Sequence, residues 1–122
     1  MITVTTTDLN NIVYVEGSGK ITGKDYESVL IPKVEAKFKE YRQVRVLYHL
    51  GKDFLSFEPK ALWDDAKIGF MHWKQWEKIA LVSDVEWIVK MTKFFRFLIP
   101  FPFQIFSNDD LPLAYKWIQE IS

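Results

Sequence analysis

Apolar and polar positions along the chain follow two rhythms. A period of two, rich in β-branched residues, marks "ITVTTT" (2–7) and "NIVYVEGSG" (11–19), with turn residues "DLNN" between them. This predicts a β-hairpin. A helical period takes over after Thr22, with Tyr26, Val29, Leu30, Val34, Phe38 and Tyr41 forming one stripe through "DYESVLIPKVEAKFKEY". Thr22 is placed to accept from the amide three residues on, and Asp25 suits a helix N-terminus. Pro32 interrupts the stripe and should kink the first turns or delay the helix.

The near-continuous apolar run "VRVLYHL" (44–50) predicts a buried central strand, and "GKDFLSFEP" (51–59) a loop. Pro59 fits the first turn of a second helix through "KALWDDAKIGFMHWKQW", on which Leu62, Ala66 and Phe70 (or Gly69) share a face. "KIALVS" (78–83) is the next strand. Ser83 or Asp84 is expected to cap a third helix, "VEWIVKMTKFFRFL" (85–98). "FQIF" (103–106) is a short strand. Asp109 or Asp110 opens a last helix, "LPLAYKWIQEI", with Leu113, Trp117 and Ile121 at helical spacing. The order ββαβαβαβα predicts an α/β fold: a mostly parallel central sheet, one antiparallel strand and four flanking helices.

Composition narrows the function. The 122 residues suit a single domain (1–122), and 16 basic residues balance 16 acidic ones, which argues against a general polyanion or nucleic-acid binder. Without cysteine there is no disulfide, thiolate metal site or cysteine nucleophile. His49 and His72 lack carboxylate partners at ligand spacing, so no metal or cofactor is expected. "GSGKITGKD" lacks the full spacing of a phosphate loop, and no HExxH or GxSxG motif occurs. Asp64 and Asp65 are adjacent in a helix and point about 100° apart, which excludes a facing carboxylate pair and favours surface pairing of Asp64 with Lys60 or Lys67. Nothing nominates an enzyme. The N-terminus has no signal-peptide pattern and no apolar run is long enough to span a bilayer, so the expected location is cytoplasmic.

The third helix carries the strongest signal. Its apolar arc spans about 160°, against the roughly 100° that docking on a sheet requires. Phe95, Ile88, Thr92 and Ile99 form the expected sheet-facing half. The other half holds Trp87, Met91, Phe94 and Leu98, followed by Phe97, Pro100 and Phe101 and flanked by Lys90, Lys93 and Arg96. This surplus either packs on the last helix or on the second with its Phe70 and Trp73, or forms an exposed patch or pocket lid. Phe94, Phe97, Leu98, Ile99 and Phe101 with a basic rim suit an interface or an anionic bilayer.

The stretches "ALWDDAKIGFMHWKQWEKIALVSDVEWI" and "IFSNDDLPLAYKWI", with "ITGKDYESVLIPKVE" and "VRVLYHL" upstream, resemble the SpoIIAA-like (STAS) proteins of bacteria over nearly the whole chain. The resemblance implies a STAS fold and a non-catalytic module. Some relatives bind partner proteins, and others are likened to lipid-binding CRAL-TRIO domains. The phosphorylated serine of the regulatory branch lies in an Asp-Ser motif. Here Asp53 and Ser56 are separated, which leaves Ser56 as the phospho-site candidate. The leading expectation is a module that binds a lipophilic small molecule near Phe70 and Trp73. It would touch membranes reversibly, at the inner face, through the third helix and following loop. The alternative is a regulatory protein-interaction module switched at Ser56, and a third is a homodimer joined through the aromatic patch.

Overall fold

The computed structural model describes residues 1–120. The elements are β1 Ile2–Thr6, β2 Ile12–Ile21, α1 (23–40), β3 Val44–Phe57, α2 Pro59–Met71, β4 Trp76–Ser83, α3 Glu86–Phe95, β5 Phe103–Phe106 and α4 Leu111–Gln119. The sheet order is β1-β2-β3-β4-β5, antiparallel between β1 and β2 and parallel elsewhere. This is the expected ββαβαβαβα order. β3 is central, which explains why "VRVLYHL" is apolar on both faces.

Strand alternation sorts side chains into two layers. Val13, Val15, Val44, Val46, Leu50 and Leu81 face the layer built from Tyr26, Leu30 and Val34 of α1, Ala61 and Ile68 of α2, and Ile88 of α3. Ile12, Leu47, Ala80 and Val82 face the opposite layer, where α4 contributes Ala114 and Ile118. Ile121, expected on the same stripe, lies outside the described residues.

Helix α1 begins with a capping box: Asp25 N donates to Thr22 Oγ1 at 3.1 Å, and Thr22 N donates to Asp25 Oδ2 at 2.9 Å. Its second turn is a π turn, Tyr26–Leu30, in which Ile31 N donates to Tyr26 O, five residues back. The helix then continues as α over Ile31–Glu40. Pro32 follows the π turn directly, inside the continuous helix, and has no amide to add to the hydrogen-bond ladder there. The irregularity expected from Pro32 therefore takes the form of a wider turn placed just before it.

Three elements depart from the expected bounds. The segment read as a loop, 51–59, is largely strand: Phe54, Ser56 and Phe57 pair with Gly19, Lys20 and Ile21 of β2. Lengthening both strands satisfies backbone groups that a loop would leave to water. Helix α2 stops at Met71, and Trp76 already belongs to β4. Neither Ser83 nor Asp84 caps α3. Val85 holds that position, while Ser83 Oγ accepts from Val85 N at 3.0 Å and Asp84 Oδ1 from Asn108 N at 3.1 Å.

Two buried cations fasten α4. Arg45 of β3 donates from Nη1 to the carbonyls of Ile118 (2.9 Å) and Glu120 (2.8 Å), and grips Glu77 from Nε (2.9 Å) and Nη2 (3.2 Å). Lys78, its register neighbour on β4, donates to the carbonyls of Trp117 and Glu120, each at 2.9 Å. Cations at a helix C-terminus satisfy its orphan carbonyls and complement its dipole. The Arg45 hydrogen bonds hold the Glu77 carboxyl below the usual range against the opposing effect of burial, helped by Asn11 and by the charges of Arg45 and Lys78.

Candidate functional site

Helix α2 turns Leu62 and Gly69 of the predicted face to a cavity but buries a different stripe. Leu62 is partly exposed and Phe70 is 79% exposed, while Ala61, Asp64 and Ile68 are buried. Between this helix, α3 and the sheet lies an apolar cavity of about 270 Å³. Val46, Tyr48, Ile79 and Leu81 form its floor, Tyr26 and Leu30 one wall, and Ile99, Phe101 and Phe103 another. Helix α2 contributes Leu62, Asp65 and Gly69, which share one face at i, i+3 and i+7. Leu62, Trp73, Trp87 and Met91 line the cavity and are also partly exposed, so they mark its mouth.

The cavity has one polar cluster. Tyr26 Oη donates to Asp65 Oδ1 at 2.8 Å, and the hydroxyls of Tyr26 and Tyr48 lie 3.0 Å apart. Asp65 lines the cavity and its surface is exposed, in contrast to the buried Asp64 beside it. Burial pushes its carboxyl above the ordinary range, and the Tyr26 hydrogen bond only partly opposes this. Burial and the nearby Asp65 charge raise both phenols well above the usual tyrosine range, so they stay protonated donors. Asp64 behaves differently. It pairs with Lys60 at 3.4 Å as expected, but it is buried, and its Oδ2 has no hydrogen-bond partner.

A raised folded-state pKa has a definite sign. The proton is held more tightly in the folded protein, so the favourable contribution is complete below the unfolded carboxylate pKa and is lost as pH rises through the folded one. Asp65→Asn keeps an acceptor for Tyr26 and removes the charge from the cavity wall. It is expected to melt higher than the wild type at neutral pH, with the difference vanishing near pH 3. Thermal melts across that range check this, and an unchanged difference at all pH values would refute it.

The remaining candidates are divided between cavity and surface. Trp73, Trp87, Met91, Ile99 and Phe101 belong to the cavity, and Phe70 lies outside it, with its ring 6.5 Å from that of Trp73. Phe101 is only partly exposed and packs edge-on to Trp73 at 6.3 Å, so it is wall and not surface patch. Phe95, expected to face the sheet, is 49% exposed because only Ile88 of α3 reaches the core; the cavity holds the rest of that helix off the strands. Phe94, Phe97 and Leu98 are exposed, as is Pro100. Of the basic rim, Lys90 is paired with Glu86 at 2.7 Å, whereas Lys93 and Arg96 have no ion-pair partner among the described residues. Ser56 is exposed on β3, beside Lys20 of β2 and short of the α2 N-terminus.

Asp65 was the residue that sequence reasoning missed. Its signal was indirect: Tyr26 and Tyr48 sit on stripes read as buried, and buried phenols need a partner. Among the described residues no helix is long and apolar enough to cross a membrane.

Comparison with known proteins agrees with this fold. A crystal structure of an uncharacterized protein with a SpoIIAA-like fold from Shewanella loihica PV-4 is 23% identical, superposes with a TM-score of 0.72, and is matched over 97% of this chain and 92% of that one. No curated protein matches the chain significantly. The SpoIIAA-like family description matches residues 12–119, and the chain therefore belongs to the SpoIIAA-like family of non-catalytic binding and regulatory domains.

Proposed function

We propose that this regulatory domain carries a lipophilic small molecule between α2, α3 and the sheet, and that a partner protein reads the occupied state on the surrounding aromatic surface. The observation that carries the reading is the 270 Å³ cavity, lined almost entirely by apolar side chains and open at a mouth of Leu62, Trp73, Trp87 and Met91. A pocket of that character with few convergent polar groups is the usual form of a small-molecule site. Trp63, Phe70 and Phe94 lie exposed on the two helices that border the mouth, and Phe97 on the turn that follows α3. A surface of this kind suits a binding partner.

Two observations favour a protein over a bilayer as that partner. The family is regulatory, and Glu86 already neutralises one of the three cations that an anionic membrane would attract. In this reading Ser56 is the modification site. Its exposure supports it, and Lys20 beside it offers a phosphate one cation. Anionic vesicles test the membrane alternative: the protein is expected to remain in solution on flotation. Co-flotation that is lost in Phe94→Ser/Phe97→Ser would replace the protein partner with a membrane. A dimer lost in the same variant would make the partner a second copy.

The cavity itself is tested with 4-phenylbutan-1-ol, a neutral probe of suitable size, followed by tryptophan fluorescence. Saturable binding is expected. Gly69→Leu provides the control, because a Cβ built there meets nothing within 4 Å and shares the helix face of Asp65. The new side chain should fill the cavity and abolish binding, while removal of a mid-helix glycine adds about 1 kcal/mol of stability. Binding that survives Gly69→Leu would place the probe elsewhere.

A further inference from the structure

We infer that the cavity selects an amphipathic amine, with its ammonium on Asp65 and its apolar body against the aromatic wall. This inference rests on the reading of the cavity as a ligand site. Asp65 Oδ1 is engaged by Tyr26, and the carboxylate takes part in none of the ion pairs among the described residues. Of the two lysines on its own helix, Lys60 is 3.4 Å from both Glu27 and Asp64, and Lys67 is exposed two residues on, where side chains do not face one another. The other titratable groups lining the cavity are Tyr26 and Tyr48, whose hydroxyls act as hydrogen-bond partners and bring no positive charge.

A carboxylate at the wall of an apolar cavity without a cation leaves its charge unmatched, and an ammonium entering the cavity supplies the match. The lining supplies the second half of the recognition. Trp73, Trp76 and Trp87 present aromatic rings, which attract cations at their faces, and they stand in the same cavity as the carboxylate. A ligand carboxylate would meet repulsion there, and an alcohol would gain one neutral hydrogen bond. Size sets the remaining limit. A cavity of about 150 Å³ holds benzene, so 270 Å³ accommodates one ring plus a short chain, or two fused rings.

The experiment compares 4-phenylbutylamine, 4-phenylbutan-1-ol and 4-phenylbutyrate on the full chain at pH 7.5 by titration calorimetry. The amine is expected to bind at least about tenfold more tightly than the alcohol, as a charge-assisted hydrogen bond outweighs a neutral one. The acid should bind most weakly. Asp65→Asn should remove the advantage of the amine over the alcohol. Equal affinity of amine and alcohol for the wild type, or an amine preference that survives Asp65→Asn, overturns the inference and leaves the cavity reading intact. Failure of all three to bind overturns both. The wild-type series alone decides if the variant does not fold.

Discussion

Arg45→Ala is expected to destabilise the protein by about 3–5 kcal/mol, the range for breaking a buried charge pair. Arg45 is 8% exposed, and its guanidinium makes four hydrogen bonds, two to Glu77 and two to the carbonyls that end α4. Alanine leaves the Glu120 carbonyl to Lys78 alone, deprives the Ile118 carbonyl of its side-chain donor and opens a void under the helix. Lysine in place of Arg45 should recover only part of the loss, because a single ammonium cannot reproduce the planar fork. Urea denaturation measures both. A loss below about 1 kcal/mol for Arg45→Ala would mean that Lys78 suffices to hold α4.

The same variant carries a pH signature. Glu77 has a folded-state pKa below its ordinary value, with the Arg45 hydrogen bonds as the first cause. Such a group contributes stability above the unfolded glutamate pKa, and that contribution is lost as pH falls through the folded one. The gap between wild type and Arg45→Ala should therefore narrow on acidification below the usual glutamate range. A gap that stays constant down to the acid transition would assign the whole effect to the helix carbonyls.

Gly17→Val is expected to cost about 1–3 kcal/mol through overpacking. A Cβ at this position of β2 would stand 2.5 Å from Ile21 Cδ1 and 2.8 Å from Leu50 Cδ2. Both side chains are essentially fully buried, so neither end has free space to move into. The register between β2 and β3 also shifts just after Gly17, which leaves that stretch poorly placed to absorb a displacement. The urea midpoint should fall with little change in slope. A neutral result would mean that Ile21 and Leu50 repack without cost. Gly17 and Gly69 thus make opposite predictions from one residue type, because one position is closed and the other open.

Much of this architecture was legible because local and tertiary signals agreed. The β-branched hairpin, the run at 44–50, the Thr22 cap and the proline-led α2 and α4 all follow the simplest reading of their residues. What was not legible depended on contacts between distant segments. Residues 51–57 read as a loop because Gly51, Lys52 and Asp53 are poor strand formers, yet β2 supplies their continuation with a pairing edge. On helix α2 the sequence placed Leu62, Ala66 and Phe70 (or Gly69) on one face, of which Leu62 and Gly69 reach the cavity. The buried face is set instead by Ala61 and Ile68, which leaves Phe70 outside and Asp65 aimed at the cavity. On α3 the width of the apolar arc did signal a surplus. It could not say that part of that surplus lines an internal space, since periodicity ranks faces by hydrophobicity and does not distinguish a packed core from an open one.

The π turn at Tyr26–Leu30 makes chain length tolerable at a place where the cavity wall depends on orientation. It accommodates one residue more than a regular helical turn, and Tyr26 stands at its start with its hydroxyl on Asp65. Deleting a single residue within 27–29 would convert the five-residue bond from Ile31 N to Tyr26 O into an ordinary four-residue one and leave Tyr26 facing Asp65. Homologues with one residue fewer here would therefore keep the same wall. A deletion after Leu30, beyond the turn, has no such slack and would rotate Tyr26 by about 100° relative to the rest of α1.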